Sequence, residues 1–272
     1  MDSCDPVATA NEKVWEALVK SRQSFTMPGL HLDPILLRCY ATDEELPNTE
    51  LRDWIHPWSL LADIEGKEVL CLASGGGQQS AVFSLLGARV TVVDLTAGQL
   101  EGDRKAAAHY GYEIETIKAD MRDLSGLPAA HFDLVYQAPS MGYVPDVRQV
   151  YAQVAKVLKP EGLYRADAGD PGIMFADETW QDGYRITKPF SERILRRADG
   201  GIEFRHYLSD VFNGLIECGF VICQIEEMPG HLDMNPKAEP GSWAHILGHL
   251  PWLFAIVAQK ISRPVTSGGD IH

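Results

Sequence analysis

The sequence has little cysteine, a shortage of positive charge and no long apolar run, and each absence narrows what the chain can be. No stretch approaches the ~20 apolar residues that a bilayer-spanning helix needs, so a membrane is not an expected partner. The five cysteines, at positions 4, 39, 71, 218 and 223, form no C-x-x-C pair and show no metal spacing. An odd count of scattered thiols fits a reducing cytoplasm better than a disulfide framework. The start, Met1-Asp2-Ser3-Cys4-Asp5, is polar and acidic, unlike a secretory signal. Lysine and arginine number 24 against 38 aspartates and glutamates, a formal net charge of −14. A phosphate backbone is a poor partner for such a surface. There is no internal repeat and no low-complexity linker. What remains is a chain of 272 residues, 45% apolar, enough for one large α/β domain with a small appended element.

The stretch Val69-Leu-Cys-Leu-Ala-Ser-Gly-Gly-Gly-Gln-Gln-Ser80 carries the most information. A short apolar run ends in three glycines and passes into a helical pattern, which reads as a buried parallel strand, a tight turn and a helix start. Glycine serves where backbone must approach a ligand closely or take a positive φ. Seventeen residues beyond Gly77, the apolar run Arg89–Val93 ends at Asp94. A glycine turn followed by an acid at the tip of the next strand is a nucleoside-binding arrangement, the acid accepting from the ribose hydroxyls.

Around this motif strands and helices alternate. Strands are expected at 68–73, 89–93, 113–119, 132–137 and 163–168, and helices after Gly77, over 97–110 and over 147–158. Such alternation means a parallel sheet with helices on both faces. A helix is expected from Asn11 to Ser24, with Val14, Trp15, Leu18 and Val19 on one face. Residues 170–206 break the rhythm with Pro, Gly, aromatics and a hairpin-like 194–204 centred on Asp199-Gly200-Gly201. A helix over 208–218 and strands at 220–225 and 252–259 complete the chain.

This order resembles the class I S-adenosylmethionine-dependent methyltransferases over roughly residues 60–260. In that family the first strand ends in V-L-D-x-G-x-G-x-G, read here as Val69-Leu70-Cys71-Leu72-Ala73-Ser74-Gly75-Gly76-Gly77. Asp94 matches the acid of the second strand, Asp120-Met121 the adenine-holding pair after the third, and Phe132-Asp133-Leu134-Val135 the F-D-x-V strand. Leu158-Lys159-Pro160-Glu161-Gly162 nearly reproduces L-K-P-G-G. The resemblance implies a Rossmann-like, doubly wound, mostly parallel seven-stranded sheet with an antiparallel last strand. It also implies an N-terminal helical lid segment over 1–64 and a domain over 65–272 carrying the 170–206 insertion as a cap. The implied cofactor is S-adenosyl-L-methionine, held by Ala73, Ser74, Gly75, Gly77, Gln78, Asp94, Leu95, Gln99, Asp120, Met121 and Gln137. The family's acid stands as Cys71 here and its first glycine as Ala73. Gln78 and Gln79 are polar candidates to replace the lost acid.

The implied activity is methyl transfer to a small organic acceptor, and nothing in the resemblance requires a metal. Gly75-x-Gly77-x-x-Ser80 also approximates a dinucleotide fingerprint, so a nicotinamide-dependent oxidoreductase is the rival. A non-catalytic binder of the same cofactor is the third reading. Gln137-Ala-Pro-Ser-Met-Gly-Tyr143 does not meet the Asn/Asp-Pro-Pro-aromatic motif of amino-methylating nucleic-acid enzymes. His206 and Tyr143 are the candidate bases, with His31 and His56 behind them. His245 and His249, with His231 nearby, have a zinc-compatible spacing, but Gly248 and Pro251 interrupt that helix. Between 185 and 205 the chain carries Arg185, Lys188, Arg193, Arg196, Arg197 and Arg205 against three acids, which suggests an acidic acceptor beneath the insertion.

Overall fold

The computed structural model describes residues 5–42, 54–227 and 234–262. Nine strands fall in chain order: β1 Glu68–Leu72, β2 Arg89–Asp94, β3 Glu115–Lys118, β4 Phe132–Gln137, β5 Leu158–Gly169, β6 Ile194–Arg196, β7 Ile202–Phe204, β8 Phe220–Glu227 and β9 Leu253–Lys260. Seven form one sheet in the order β3-β2-β1-β4-β5-β9-β8, while β6 and β7 make a separate hairpin. Strands β1 to β5 run parallel, and β9 is antiparallel to both β5 and β8. The chain moves outward from β1 through β2 to β3, then returns to place β4 on the other side of β1. That reversal opens a crevice beyond the carboxyl ends of β1 and β4, where open α/β sheets bind their ligands.

Among the described residues the α-helices are α1 Pro6–Lys20, α2 Pro34–Tyr40, α3 Gln79–Leu85, α4 Ala97–Tyr110, α5 Val147–Val157, α6 Pro171–Met174, α7 Leu208–Glu217 and α8 Trp243–Leu247. One face of the sheet is covered by α5 and α7 through Val150, Tyr151, Val154, Val211 and Leu215. The other face is covered by α3, by Leu100 and Ala106 of α4, and by Leu37, Tyr40, Ile55 and Leu61 from before the sheet. The alternation of β4 follows from this division. Leu134 and Tyr136 point to the second layer and Val135 to the first.

Local chemistry explains several boundaries. Helix α1 begins at Pro6 rather than Asn11, because Asp5 caps it by accepting from the Val7 and Ala8 amides and Pro6 occupies the first turn. Strand β5 begins at Leu158, five residues before the expected start at Leu163. Phe132 pairs with Leu158 and Leu134 with Leu163, so residues 159–162 bulge between two rungs, with Glu161 at φ +61°. The Pro-Gly pattern that marks a helix stop is here a bulge inside a strand.

The glycine turn is held from behind by α4. Asp103 accepts from the Gly76 and Gly77 amides at 3.0 Å each and from Ser80 Oγ at 2.5 Å. Gly102 lies so close that a Cβ there would stand 2.6 Å from the Gly76 carbonyl oxygen. Gly76 and Gly77 have φ of +124° and +80°, and Ala73, in the place of the family's first glycine, has +47°. Burial pushes the Asp103 carboxyl from 3.8 up to about 7, opposed by its hydrogen bonds and helped by the nearby Asp94 charge. An acid whose folded pKa lies above its unfolded value binds a proton more readily when folded. Its stabilising contribution is therefore present at low pH and lost as pH rises through the folded value. Urea unfolding at pH 5 and pH 8 is expected to show wild type losing roughly 2 kcal/mol more across that window than Asp103→Asn. Equal losses would show that Asp103 is already ionised at pH 5.

Candidate active site

At the carboxyl edge of β1, β2, β4 and β5 lies a cavity of about 760 Å³. Its floor is the glycine turn. Ala73, Ser74, Gly75 and Gln78 line it, and a Cβ on Gly75 would fall 2.7 Å from Gln99 Cβ and 2.9 Å from Asp94 Oδ2. Ser74 Oγ accepts from the Ala138 amide at 3.1 Å, tying the ends of β1 and β4 together.

Asp94 ends β2 against this turn. Its Oδ2 accepts from Gly75 N–H at 3.0 Å and its Oδ1 from Thr96 N–H at 2.8 Å. Burial pushes the carboxyl above its usual range, and the two amides pull the other way. The Thr96 side chain also bonds this carboxylate, which keeps room for a further donor. Leu95 and Gln99 continue the wall, and Gln99 Oε1 is a buried oxygen without a hydrogen-bond partner in the described structure. Ala119, Asp120 and Met121 close that end. Arg122 donates to both Asp120 oxygens (2.9 and 2.6 Å) and pairs with Asp5 at 2.7 Å.

Helix α1 forms the roof. Ala8, Asn11 and Trp15 face the cavity, joined by Ser24 and Phe25. Trp15 meets Phe25 and Tyr143 edge-on at 5.9 Å each. Asn11 exchanges two hydrogen bonds with Ile202 of β7, at 2.8 and 2.9 Å, so the hairpin is docked on the helix. The opposite end is built by His56, Tyr136, Arg165, Asp167, Trp243, Trp252 and Leu253. There Arg165 lies 4.6 Å over the Tyr136 ring, donates to the His56 carbonyl oxygen at 2.7 Å and is bonded to Asp167.

The structure brings most of the expected residues together. Ala73, Ser74, Gly75, Gln78, Asp94, Leu95, Gln99, Asp120 and Met121 all line the cavity, as does Tyr143. Gly77 and Gln137 stand behind it. Gly77 gives its carbonyl oxygen to Gly29 N–H at 3.0 Å, and the Gln137 amide is consumed by Ser140 Oγ at 2.8 Å and Tyr164 O–H at 2.5 Å. His206 does not reach the cavity. Its Nε2 sits 3.0 Å from the Met141 carbonyl oxygen, it borders a small hollow with Asp146, Arg148 and Arg193, and burial pushes its pKa down. That placement removes the reason for giving it a base role. Tyr143 stays on the wall with its phenol pushed up to about 12 by burial, so it is a hydrogen-bond donor at neutral pH. His56 lines the cavity and meets Glu226 at 2.7 Å. Cys71 is a fully buried strand thiol whose pKa burial raises well above normal.

The six basic residues of the insertion lie elsewhere. Arg193 pairs with Asp210, Arg197 with Asp199 and Glu203, and Arg205 donates to the Glu192 carbonyl oxygen. Arg185 and Arg196 are exposed, and none of the six, Lys188 included, lines the cavity. His245 and His249 stack at 4.3 Å beside Trp180, and the Tyr184 hydroxyl lies 2.6 Å from His245 Nδ1. His231 lies outside the described residues. Among the described residues no three His, Cys, Asp or Glu side chains gather as a metal site, and no helix is long and apolar enough to cross a membrane.

Sequence reasoning missed Asp103, Arg165, Asp167, Trp54 and the pair Trp243 and Trp252. A signal existed for two of them. Arg165 and Asp167 alternate in a strand expected to be central, which puts two charges on one buried face.

Comparison with known proteins agrees with this geometry. A methyltransferase-domain family model matches residues 70–166. An uncharacterized methyltransferase of Bacillus subtilis, YbaJ, is 30% identical over 233 residues, covering 81% of this chain and 90% of the relative. A ubiquinone biosynthesis O-methyltransferase of Nitrosococcus oceani is 32% identical over 170 residues, covering 57% of this chain and 72% of its own. The solved S-adenosylmethionine-dependent methyltransferase of Mesorhizobium loti superposes with a TM-score of 0.62 at 25% identity, covering 76% of this chain and 99% of that one.

The glycine turn gives a direct test. Gly75→Val is expected to abolish the thermal shift produced by S-adenosylhomocysteine, because its side chain takes the space between Asp94 and Gln99. A folded variant that keeps the wild-type shift would place donor binding elsewhere.

Proposed function

We propose, for a chain that belongs to the class I S-adenosylmethionine-dependent methyltransferases, that it methylates a small organic molecule bound over β4 and β5, beside the cofactor. The observation that carries this reading is one continuous cavity, with a nucleoside-type end at Asp94 and an aromatic, charged end at Arg165, Asp167 and Trp252. When bound, S-adenosylmethionine supplies a methyl group activated on a positively charged sulfonium.

The residues present fit that group. Asp94, at the tip of β2, would accept from the ribose. Asp120 and Met121 would hold the adenine end, and Ala73, Ser74 and Gly75 would let backbone lie against the ligand. The partnerless Gln99 Oε1 beside Gly76 is a further acceptor for it. The acid absent at position 71 leaves the amino-acid end to Gln78, whose Nε2 now donates to the Met27 carbonyl oxygen at 2.9 Å. With α1 and Trp15 above, such a site holds its reactants in one orientation and excludes water, which is most of what an in-line methyl transfer requires. We read the N-terminal segment, 1–64, as the lid and the 170–206 insertion as its support.

An acidic acceptor loses the argument drawn from the insertion, whose basic residues are paired or exposed away from the cavity. The two cationic side chains on the wall, Arg122 and Arg165, are matched by Asp5 and Asp120 and by Asp167. A net charge of −14 speaks against a nucleic-acid acceptor.

Two measurements test the reading. Asp94→Ala is expected to weaken S-adenosylhomocysteine binding by roughly 1.5–3 kcal/mol in calorimetry while the fold survives. Unchanged affinity in a folded variant would sink the ribose assignment. Release of S-adenosylhomocysteine over a panel of phenols, amines, carboxylic acids and thiols identifies the acceptor, and a wild-type protein that binds NAD but not the methyl donor would overturn the function.

A further inference from the structure

The far end of the cavity contains an unusual electrostatic feature. Arg165 and Asp167 stand two residues apart on β5, on one face of the sheet, and are 3% and 4% exposed. A buried ion pair contributes little net stability, because desolvation offsets the attraction, unless every remaining polar atom is satisfied. Arg165 meets that condition better than its partner does. It donates to Asp167 Oδ2, to the His56 carbonyl oxygen at 2.7 Å and to the Gln137 carbonyl oxygen at 3.3 Å. Asp167 does not meet it, since its Oδ1 is buried with no hydrogen-bond partner in the described structure.

An orphaned carboxylate oxygen in a cavity wall calls for a donor. Besides Arg165, this end of the cavity is lined by His56, Tyr136, Trp252 and Leu253, with Trp243 packed edge-on against Trp252 at 5.5 Å and 47% exposed, and the Tyr136 hydroxyl already donates to the Trp54 carbonyl oxygen at 2.9 Å. His56 Nε2 is turned toward Glu226 at 2.7 Å. The indoles suit a flat apolar body, and the open lone pairs of Asp167 suit one hydrogen-bond donor at its end. The nature of that donor follows from Arg165. Its fixed positive charge disfavours an ammonium beside Asp167, and favours a neutral group whose oxygen gains negative character as it reacts.

We infer that Asp167, held in place by Arg165, is the acceptor-recognition residue of this enzyme, and that it binds the hydroxyl group of a flat, aromatic-type substrate. This inference rests on the proposed methyltransferase function and adds to it the chemical class of the acceptor. Asp167 hydrogen-bonds the reacting hydroxyl, Arg165 orients the carboxylate, and Trp243 and Trp252 flank the ring.

Tryptophan fluorescence with saturating S-adenosylhomocysteine tests it, using 2-naphthol, 2-methoxynaphthalene and 2-(aminomethyl)naphthalene as probes. Wild type is expected to bind the naphthol at least about tenfold more tightly than the ether, the loss expected when a charged acceptor is left without its donor, and more tightly than the amine. In Asp167→Asn the amide oxygen is retained by Arg165, which turns an N–H₂ donor to where Oδ1 stood. The naphthol preference is expected to vanish while S-adenosylhomocysteine affinity stays unchanged. Arg165→Met/Asp167→Leu replaces the pair with apolar volume and keeps the test available should the single variant not fold. It is expected to bind the ether at least as well as the naphthol. Equal wild-type binding of naphthol and ether, tighter binding of the amine, no binding of the naphthol, or an intact preference in the folded variants would each overturn the assignment. Failure of S-adenosylhomocysteine to bind wild type would instead remove the function on which it rests.

Discussion

The contact between the glycine turn and α4 is the constraint on which the rest of the site depends. The main chain at Gly76 and Gly77 runs against Gly102, so that a Cβ on Gly102 would meet the Gly76 carbonyl oxygen and a Cβ on Gly77 the Gly102 carbonyl oxygen, both at 2.6 Å, and Asp103 takes two turn amides and the Ser80 hydroxyl. Three donors that would otherwise point into apolar surroundings are satisfied by one carboxylate. Only with the turn locked there does Gly75 N–H meet Asp94, and only then does Ser74 Oγ reach the end of β4. Position 71 holds a buried thiol, and the negative charge beneath the turn comes from the helix.

Two buried acids so close together are costly, and the local environment shows how the cost is contained. Burial raises the pKa of both, the Asp94 charge raises that of Asp103 further, and Glu16 raises that of Asp94. Backbone amides offset part of this for each carboxylate. At the proposed donor site a positive sulfonium and ribose hydroxyls would add favourable partners for the nearby acids.

The roof is fastened mainly by polar contacts. Glu12 meets Lys118 at 2.6 Å, Glu16 accepts from Gly98 N–H at 3.1 Å, Asp5 joins Arg122, and Asn11 is bonded to the hairpin. Only Asn11 of α1 is fully buried. Exposed ion pairs of this kind contribute roughly 0–1 kcal/mol each. A helix held this way is specific in position at little cost to lift, which is what the proposed lid role requires. The hairpin grips α1 through Asn11, while Arg197 is engaged with Asp199 and Glu203 and Arg193 with Asp210 of α7, none of them in the cavity wall.

This division of labour also explains what was legible in the sequence. The spans 97–110 and 132–137 were read to the residue, because Gly111 ends one in a left-handed turn and the other is a near-continuous apolar run between polar flanks. The convergence of the glycine turn and Asp94 on one cavity was legible because a glycine turn and a strand-tip acid in fixed order come from adjacent strands of one parallel sheet. The far end was not, because its residues come from segments distant in sequence: His56, Arg165 with Asp167, and Trp243 with Trp252. No periodicity links them, and only the closing of β5 against β9 brings Asp167 beside Ala255 and Gly169 beside Leu253. His206 failed as a candidate for the same reason in reverse. Its place at the start of α7 was read correctly, but α7 packs on the layer with α5, and that layer turns the ring toward Met141 and away from the cavity. Chain order predicts which strand end a residue occupies. Which side of the sheet its side chain reaches depends on the layer that covers it, and for single residues outside a repeating pattern that is settled by tertiary packing.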